Sequence, residues 1–171
     1  MLNTHPPLPR DEANTIQKAI SKIQFEKVEH LYIFKNGKQL RRFIGETNQV
    51  VPETKYLLEL TDATVIHNHP QGTSFSVEDF QAILKFNAQK LILVTPSYCF
   101  SVERPESNWP IAFDDSFVEL FNSCRLLAEG LLFKEIAKNE ISIFDADVEK
   151  MHYIWSSFFT FLGINYEKSR I

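Results

Sequence analysis

The chain has little cysteine: Cys99 and Cys124 are its only two, far apart and without a Cys-x-x-Cys pair. Neither a disulfide framework nor a thiolate-built zinc site can be read from that count, and a reducing, cytoplasmic setting is expected. Glycine is scarce, at 5 of 171 residues, while 44% of the chain is hydrophobic and 23% charged. That balance removes collagen-like, low-complexity and intrinsically disordered classes. Positive charge is not in excess. Eighteen Lys plus Arg against 22 Asp plus Glu give a formal net charge of −4, which disfavours wholesale binding to a nucleic-acid backbone. No apolar run reaches membrane length, because the longest aromatic-apolar stretch, Ile154 to Ile164, is far short of the roughly 20 residues a span needs. Residues 1–10 carry Pro6, Pro7 and Pro9 but no apolar run of the signal-peptide kind. Neither membrane spanning nor secretion by that route is expected.

What is present fits one compact domain with helical appendages: an N-terminal helical segment (1–25), a core (26–105) and a C-terminal helical extension (106–171). Asp11 can cap a helix reaching Ile23, with Ile16, Ala19, Ile20 and Ile23 at helical spacing. Val28 to Phe34 and Gln39 to Ile44 read as strands around Lys35-Asn36-Gly37-Lys38, where Asn-Gly supplies the positive backbone angles of a tight hairpin turn. Pro52 opens a short helix from Glu53 to Leu60, and Ala63 to His67 reads as a buried strand stopping at His69-Pro70 and Gly72. A helix starting at Ser76 and running to Ala88 follows, then strands at Leu91–Thr95 and Cys99–Glu103. Ser116 to Ala137, with a Ser116-x-x-Glu119 capping box, and Asp147 to Leu162 read as two long helices. The fold class is α/β, with a mixed sheet and flanking helices.

His67-Asn68-His69-Pro70 carries the chemistry. Residues two apart at a strand end project to one face, so His67 and His69 can hold one metal. The helix after them offers Glu78 and Asp79. At about 100° per residue, Asp79 borders the apolar side made by Val77, Phe80, Ile83 and Leu84, whereas Glu78 groups with Gln81 and Lys85. Asp79 and Ser76 therefore point inward. A buried carboxylate beside two imidazoles needs protons or a cation. Nitrogen and oxygen donors without thiolate suit zinc, with iron, manganese or nickel as alternatives. Three ligands leave a fourth position for water, and Glu29, on the same strand face as Leu31 and Ile33, is the candidate base, with Glu26 and Glu46 in reserve.

These residues resemble the signature of the JAMM/MPN (JAB-type) zinc metalloprotease family: an upstream Glu, then His-x-His-Pro, then Ser-x-x-Asp. The resemblance covers roughly residues 26 to 105 and implies a mixed-sheet architecture related to the cytidine deaminases. It implies His67, His69 and Asp79 as zinc ligands, Glu29 as general base and Ser76 as oxyanion donor. The loop from Pro70 to Glu78 is one residue shorter than is usual in the family, a form similar to that of bacterial, phage and toxin-associated members. The implied function is hydrolysis of an amide or isopeptide bond in a protein or peptide, ubiquitin-like conjugates included. The alternatives are a non-catalytic scaffold of the same fold and a DNA-repair-associated bacterial branch, which the acidic charge opposes.

Other matches fail on chemistry. HNH nucleases use dispersed residues rather than one tripeptide; cytidine deaminases need a Glu two after the His and a Pro-Cys-x-x-Cys; Asp145 and Asp147 lack the Gly and the terminal Glu of a calcium loop. His5 and His152 read as structural or solvent-facing, and His30 as an exposed or core-edge histidine, with support of the site residues as its alternative. Lys35, Lys38, Arg41 and Arg42 read as charges protecting a sheet edge. Trp155, Phe158, Phe159, Phe161 and Leu162 wrap most of the last helix, which implies burial against the body or against another copy in a homo-oligomer. Specificity is expected from loops around Glu46–Glu53 and Ser97–Pro110.

Overall fold

The computed structural model describes residues 4–9 and 13–171. The expected Asp11 cap lies outside the described residues. The described cap is Thr15, whose side chain accepts from Lys18 N at 3.3 Å and opens α1 (Ile16–Ile23). Next come β1 (His30–Lys35) and β2 (Lys38–Ile44). Their turn holds Asn36 at φ 51° and Gly37 at φ 72°, two consecutive left-handed residues that turn the chain with the twist of the strands. A 3-10 helix, Thr54–Leu60, precedes β3 (Thr64–Asn68). β3 feeds α2 (Val77–Phe86), which returns to β4 (Lys90–Val94) and its hairpin partner β5 (Tyr98–Glu103).

The strands form one six-stranded sheet in the order β2-β1-β3-β4-β5-β6, where β6 is Tyr166–Arg170. Only β3 and β4 run parallel; all other neighbours are antiparallel. That single parallel step follows from the α2 crossover, and it leaves the C-terminal end of β3 open beside the start of α2. Such strand ends are where open α/β sheets place ligands.

Side-chain alternation gives the sheet two cores. On one face Tyr32, Phe34, Ile66, Ile92 and Val94 pack with Ala19, Ile20 and Ile23 of α1. On the other, Leu31, Ile33, Val65, Leu91 and Leu93 meet α2 and two long helices, α3 (Asp115–Ala137) and α4 (Ile143–Leu162). Phe80 of α2 is the hub of that face, with ring centroids 5.1 Å from Phe159, 5.2 Å from Trp155 and 5.4 Å from Trp109. Trp155, Phe158 and Phe159 are fully buried there, whereas Phe161 stays 65% exposed. The aromatic stripe of α4 is thus spent on its own chain, where it fixes α2.

Three expectations change. The N-cap of α3 is Asp114, whose carboxylate accepts from Ser116 N and Phe117 N, so Ser116 lies inside the helix and caps nothing. Helix α4 starts at Ile143 rather than Asp147, because Ser142 accepts from Asp145 N at 3.0 Å and donates to its carboxylate at 2.6 Å. The C-terminal extension is not purely helical, since β6 completes the sheet beside β5. No helix among the described residues is long and apolar enough to cross a membrane.

Candidate metal centre

His67 is the penultimate residue of β3, paired with Leu31 on one side and Leu93 on the other. His69 follows the strand, held by its N–H to Val94 O at 2.9 Å. Both rings therefore emerge on the face covered by α2, as alternation requires. α2 delivers Asp79 through a capping box: Ser76 N donates to Asp79 Oδ2 at 2.7 Å and Asp79 N donates to Ser76 Oγ at 3.1 Å. Gln81 and Lys85 are exposed on the far side of the helix, whereas Glu78, grouped with them by helical spacing, is exposed at the rim of the cavity that the cluster opens into.

The three side chains converge. His67 Nε2 and His69 Nε2 are 3.2 Å apart, His67 Nε2 lies 3.3 Å from Asp79 Oδ1, and His69 Nε2 lies 3.4 Å from Asp79 Oδ2. Zinc bonds of about 2.0–2.1 Å at tetrahedral angles set ligand atoms about 3.3 Å apart, a spacing that the two imidazole nitrogens match, while the Asp79 carboxylate spans the pair with one oxygen toward each ring. His67, His69 and Asp79 are a group that could hold a metal ion.

Supporting contacts favour the ligating form of His69. Its Nδ1 lies 3.2 Å from both Thr73 O and Thr73 Oγ1; an N–H there, donated to the carbonyl, leaves Nε2 with its lone pair toward the cluster. Burial opposes charge on this ring, but Asp79, Glu29 and the Thr73 carbonyl outweigh it and raise its pKa above the ordinary value. Burial would likewise raise Asp79, yet His67 and His69 hold its carboxyl well below the usual range.

Glu29 sits immediately before β1, 7% exposed, with Oε1 4.0 Å from His69 Nε2. Its N–H donates to Glu46 O and its carbonyl accepts from Gly45 N, both at 2.7 Å, which continues the hairpin ladder past the strand. Burial pushes its carboxyl up, against the pull of His67 and His69. The reserve acids do not join the cluster: exposed Glu26 faces His30 at 3.8 Å, and exposed Glu46 accepts from Gln49 Nε2 at 3.3 Å. Gly45 is needed where it is, since a Cβ there would collide with Gln49 O and with Val50. That close approach folds residues 46–51 over Glu29.

Beside the cluster opens a cavity of about 540 Å³. Glu29, His67, His69, Ser76 and Asp79 form its polar wall; Leu31, Val51, Leu57, Leu60, Val65 and Ile83 make the rest largely apolar. Thr47 to Pro52 line it, as expected for the Glu46–Glu53 loop, whereas no residue of the Ser97–Pro110 loop does.

Sequence reasoning missed the residues that position this site. Asn68 alternates to the opposite face of β3 and is 1% exposed. Its Oδ1 accepts from His30 N at 2.7 Å and its Nδ2 donates to Val28 O at 3.1 Å. The side chain thereby replaces the backbone ladder where β1 leaves β3, and it fixes the segment bearing Glu29. Removing it in Asn68→Ala orphans a buried N–H, with an expected cost of about 1–3 kcal/mol in chemical denaturation; an unchanged midpoint would mean that water takes its place. The loop from His69 to Ser76 is held from behind. Trp155 Nε1 donates to Phe75 O at 2.7 Å, and Ser74 Oγ meets Tyr166 OH at 3.1 Å, itself 2.9 Å from His152 Nδ1. Burial and nearby Lys168 push His152 down to about 4, so its ring is neutral beside the Tyr166 hydroxyl. No signal in the sequence pairs residues this far apart. The chain matches no protein-family model, no curated protein and no solved structure.

Proposed function

We propose that this chain is a zinc-dependent hydrolase of amide or isopeptide bonds, with the architecture and site of the JAMM/MPN kind. The observation that carries the reading is the convergence of His67, His69 and Asp79, one ligand atom from each lying within 4.8 Å of the others, with a buried carboxylate, Glu29, 4.0 Å from His69. His67 Nε2, His69 Nε2 and one Asp79 oxygen would hold the ion. Zinc bound there supplies Lewis acidity, polarising the scissile carbonyl and bringing the pKa of water to near about 7.

The protein's own groups do the remainder. Glu29, whose burial favours the protonated form, takes the proton of the attacking water and returns it to the leaving amine. Ser76 Oγ accepts from Asp79 N, which leaves its own proton to donate to the developing oxyanion. Asn68 keeps Glu29 at the wall and Thr73 keeps the His69 ring turned inward. The apolar cavity selects a protein or peptide substrate with an apolar side chain next to the bond cleaved, a ubiquitin-like conjugate among the candidates.

The test is metal analysis of untagged protein, with hydrolysis of peptide and isopeptide-linked libraries followed before chelation, after chelation and after zinc is restored. One equivalent of metal and reversible loss of cleavage are expected. Stoichiometric metal without cleavage of any library member would favour a scaffold. No metal would end the reading.

A further inference from the structure

The outward side of α3 has no reason to be apolar in a lone chain, yet Leu126, Leu127 and Phe133 on it are 62%, 51% and 74% exposed. At about 100° per residue Leu126 and Phe133 lie opposite Phe117, Cys124 and Ala128, which face the core, and Leu127, one turn from Cys124, lies at the edge of the outward side. Large apolar groups gathered on one exposed helical face mark an interaction surface.

Charge on the same side is ordered along the helix. Asp115 and Glu119 stand toward its N-terminus, Lys134 and Lys138 toward its C-terminus, all exposed. Lys138 also faces Glu140 of its own chain at 3.7 Å. Glu129, one turn from both Leu126 and Phe133, borders this side, where Arg125 at 3.0 Å and Lys150 of α4 at 2.8 Å already pair with it. An apolar centre between an acidic and a basic end is complementary to itself only when reversed. A parallel partner would put like charge on like charge, whereas an antiparallel one puts each end on its opposite.

We propose that α3 is a homodimer interface, covered by α3 of a second copy running antiparallel about a two-fold axis between Leu126 and Leu127. In that register Glu119 is level with Lys134 of the second copy and Leu126 with Leu127. The small Ser123 and Gly130 then meet where the helix axes come closest, as close packing requires. An Asp or Lys surplus on the face would have fitted a partner of opposite charge; the balance of both signs fits a copy of itself. The inference stands on α3 alone and does not depend on the hydrolase reading.

Sedimentation of the full untagged chain at micromolar concentration tests it. The expected species is a dimer. Leu126→Glu with Phe133→Glu should sediment as a monomer with an unchanged circular dichroism spectrum and melting temperature. Glu119→Lys and Lys134→Glu should each weaken dimerisation by about tenfold, and the two together should restore it, because the exchange recreates the pair with its signs reversed. A monomeric parent chain overturns the proposal, as does a dimer that survives Leu126→Glu with Phe133→Glu. Failure of the double exchange to recover affinity overturns the antiparallel register, and with it the identity of the occupant.

Discussion

His67→Ala is expected to abolish metal binding. Two donors remain, His69 and Asp79, and Asp79 is already shared with the helix cap through Ser76 N at 2.7 Å. Loss even of an outer hydrogen-bond partner costs about 10- to 100-fold in metal affinity, so loss of one of three ligands should exceed that range. The fold should persist, because His67 is flanked in the sheet by Leu31 and Leu93, whose ladder bonds are backbone bonds. The measurement is twofold: elemental analysis of untagged protein, and melting temperature with and without added zinc. A ligand at about 100 times its dissociation constant stabilises by about 2.7 kcal/mol, so the parent chain should melt higher with zinc and the variant should not. A variant that retains a full equivalent of metal would remove His67 from the ligand set.

Glu29→Gln is expected to keep the metal and lose turnover by about 10²- to 10⁴-fold, the usual contribution of a positioned proton acceptor. The exchange is nearly isosteric, and the Glu29 backbone bonds to Glu46 and Gly45 do not involve the side chain. Stability supplies an independent check. A carboxyl whose folded pKa is raised, as burial raises Glu29, binds its proton more tightly in the folded state than in the unfolded one. Ionisation then costs stability as pH rises from the unfolded pKa through the folded pKa. The metal-free Glu29→Gln protein should therefore be as stable as its parent at neutral pH, or more so, and lose that advantage in acid. Such an exchange of stability for function is common where a polar group is held buried for chemistry. Unchanged cleavage in the variant would take Glu29 out of the mechanism.

The two histidines, Ser76 and Asp79 were legible because each rests on a local period: alternation in β3 and the 3.6-residue repeat of α2. The Asn36-Gly37 hairpin was legible for the same reason. Glu29 was singled out from neighbours of the same type by strand alternation, and the structure places it, rather than Glu26 or Glu46, beside His69. β6 escaped notice because Tyr166-Glu-Lys-Ser-Arg has no apolar alternation; an edge strand that is mostly solvated needs little. Asn68, Trp155 and Tyr166 escaped for a different reason. Their partners are 38, 80 and 92 residues away, and no window along the chain brings them together. The starts of α3 and α4 were misplaced because several acids and serines compete for each cap, and only the backbone entry angle decides among them.

Tyr166 and Trp155 have a consequence for synthesis. A nascent chain that has emerged only as far as β5 already possesses every proposed ligand, yet it lacks both the indole and the phenol that brace the His69–Ser76 loop. Domains gain structure progressively as they leave the ribosome, so the loop would stay slack until α4 and β6 have been translated and docked. If the chain cuts amide bonds as proposed, it would stay blunt among unfinished neighbours until its own translation has passed β6.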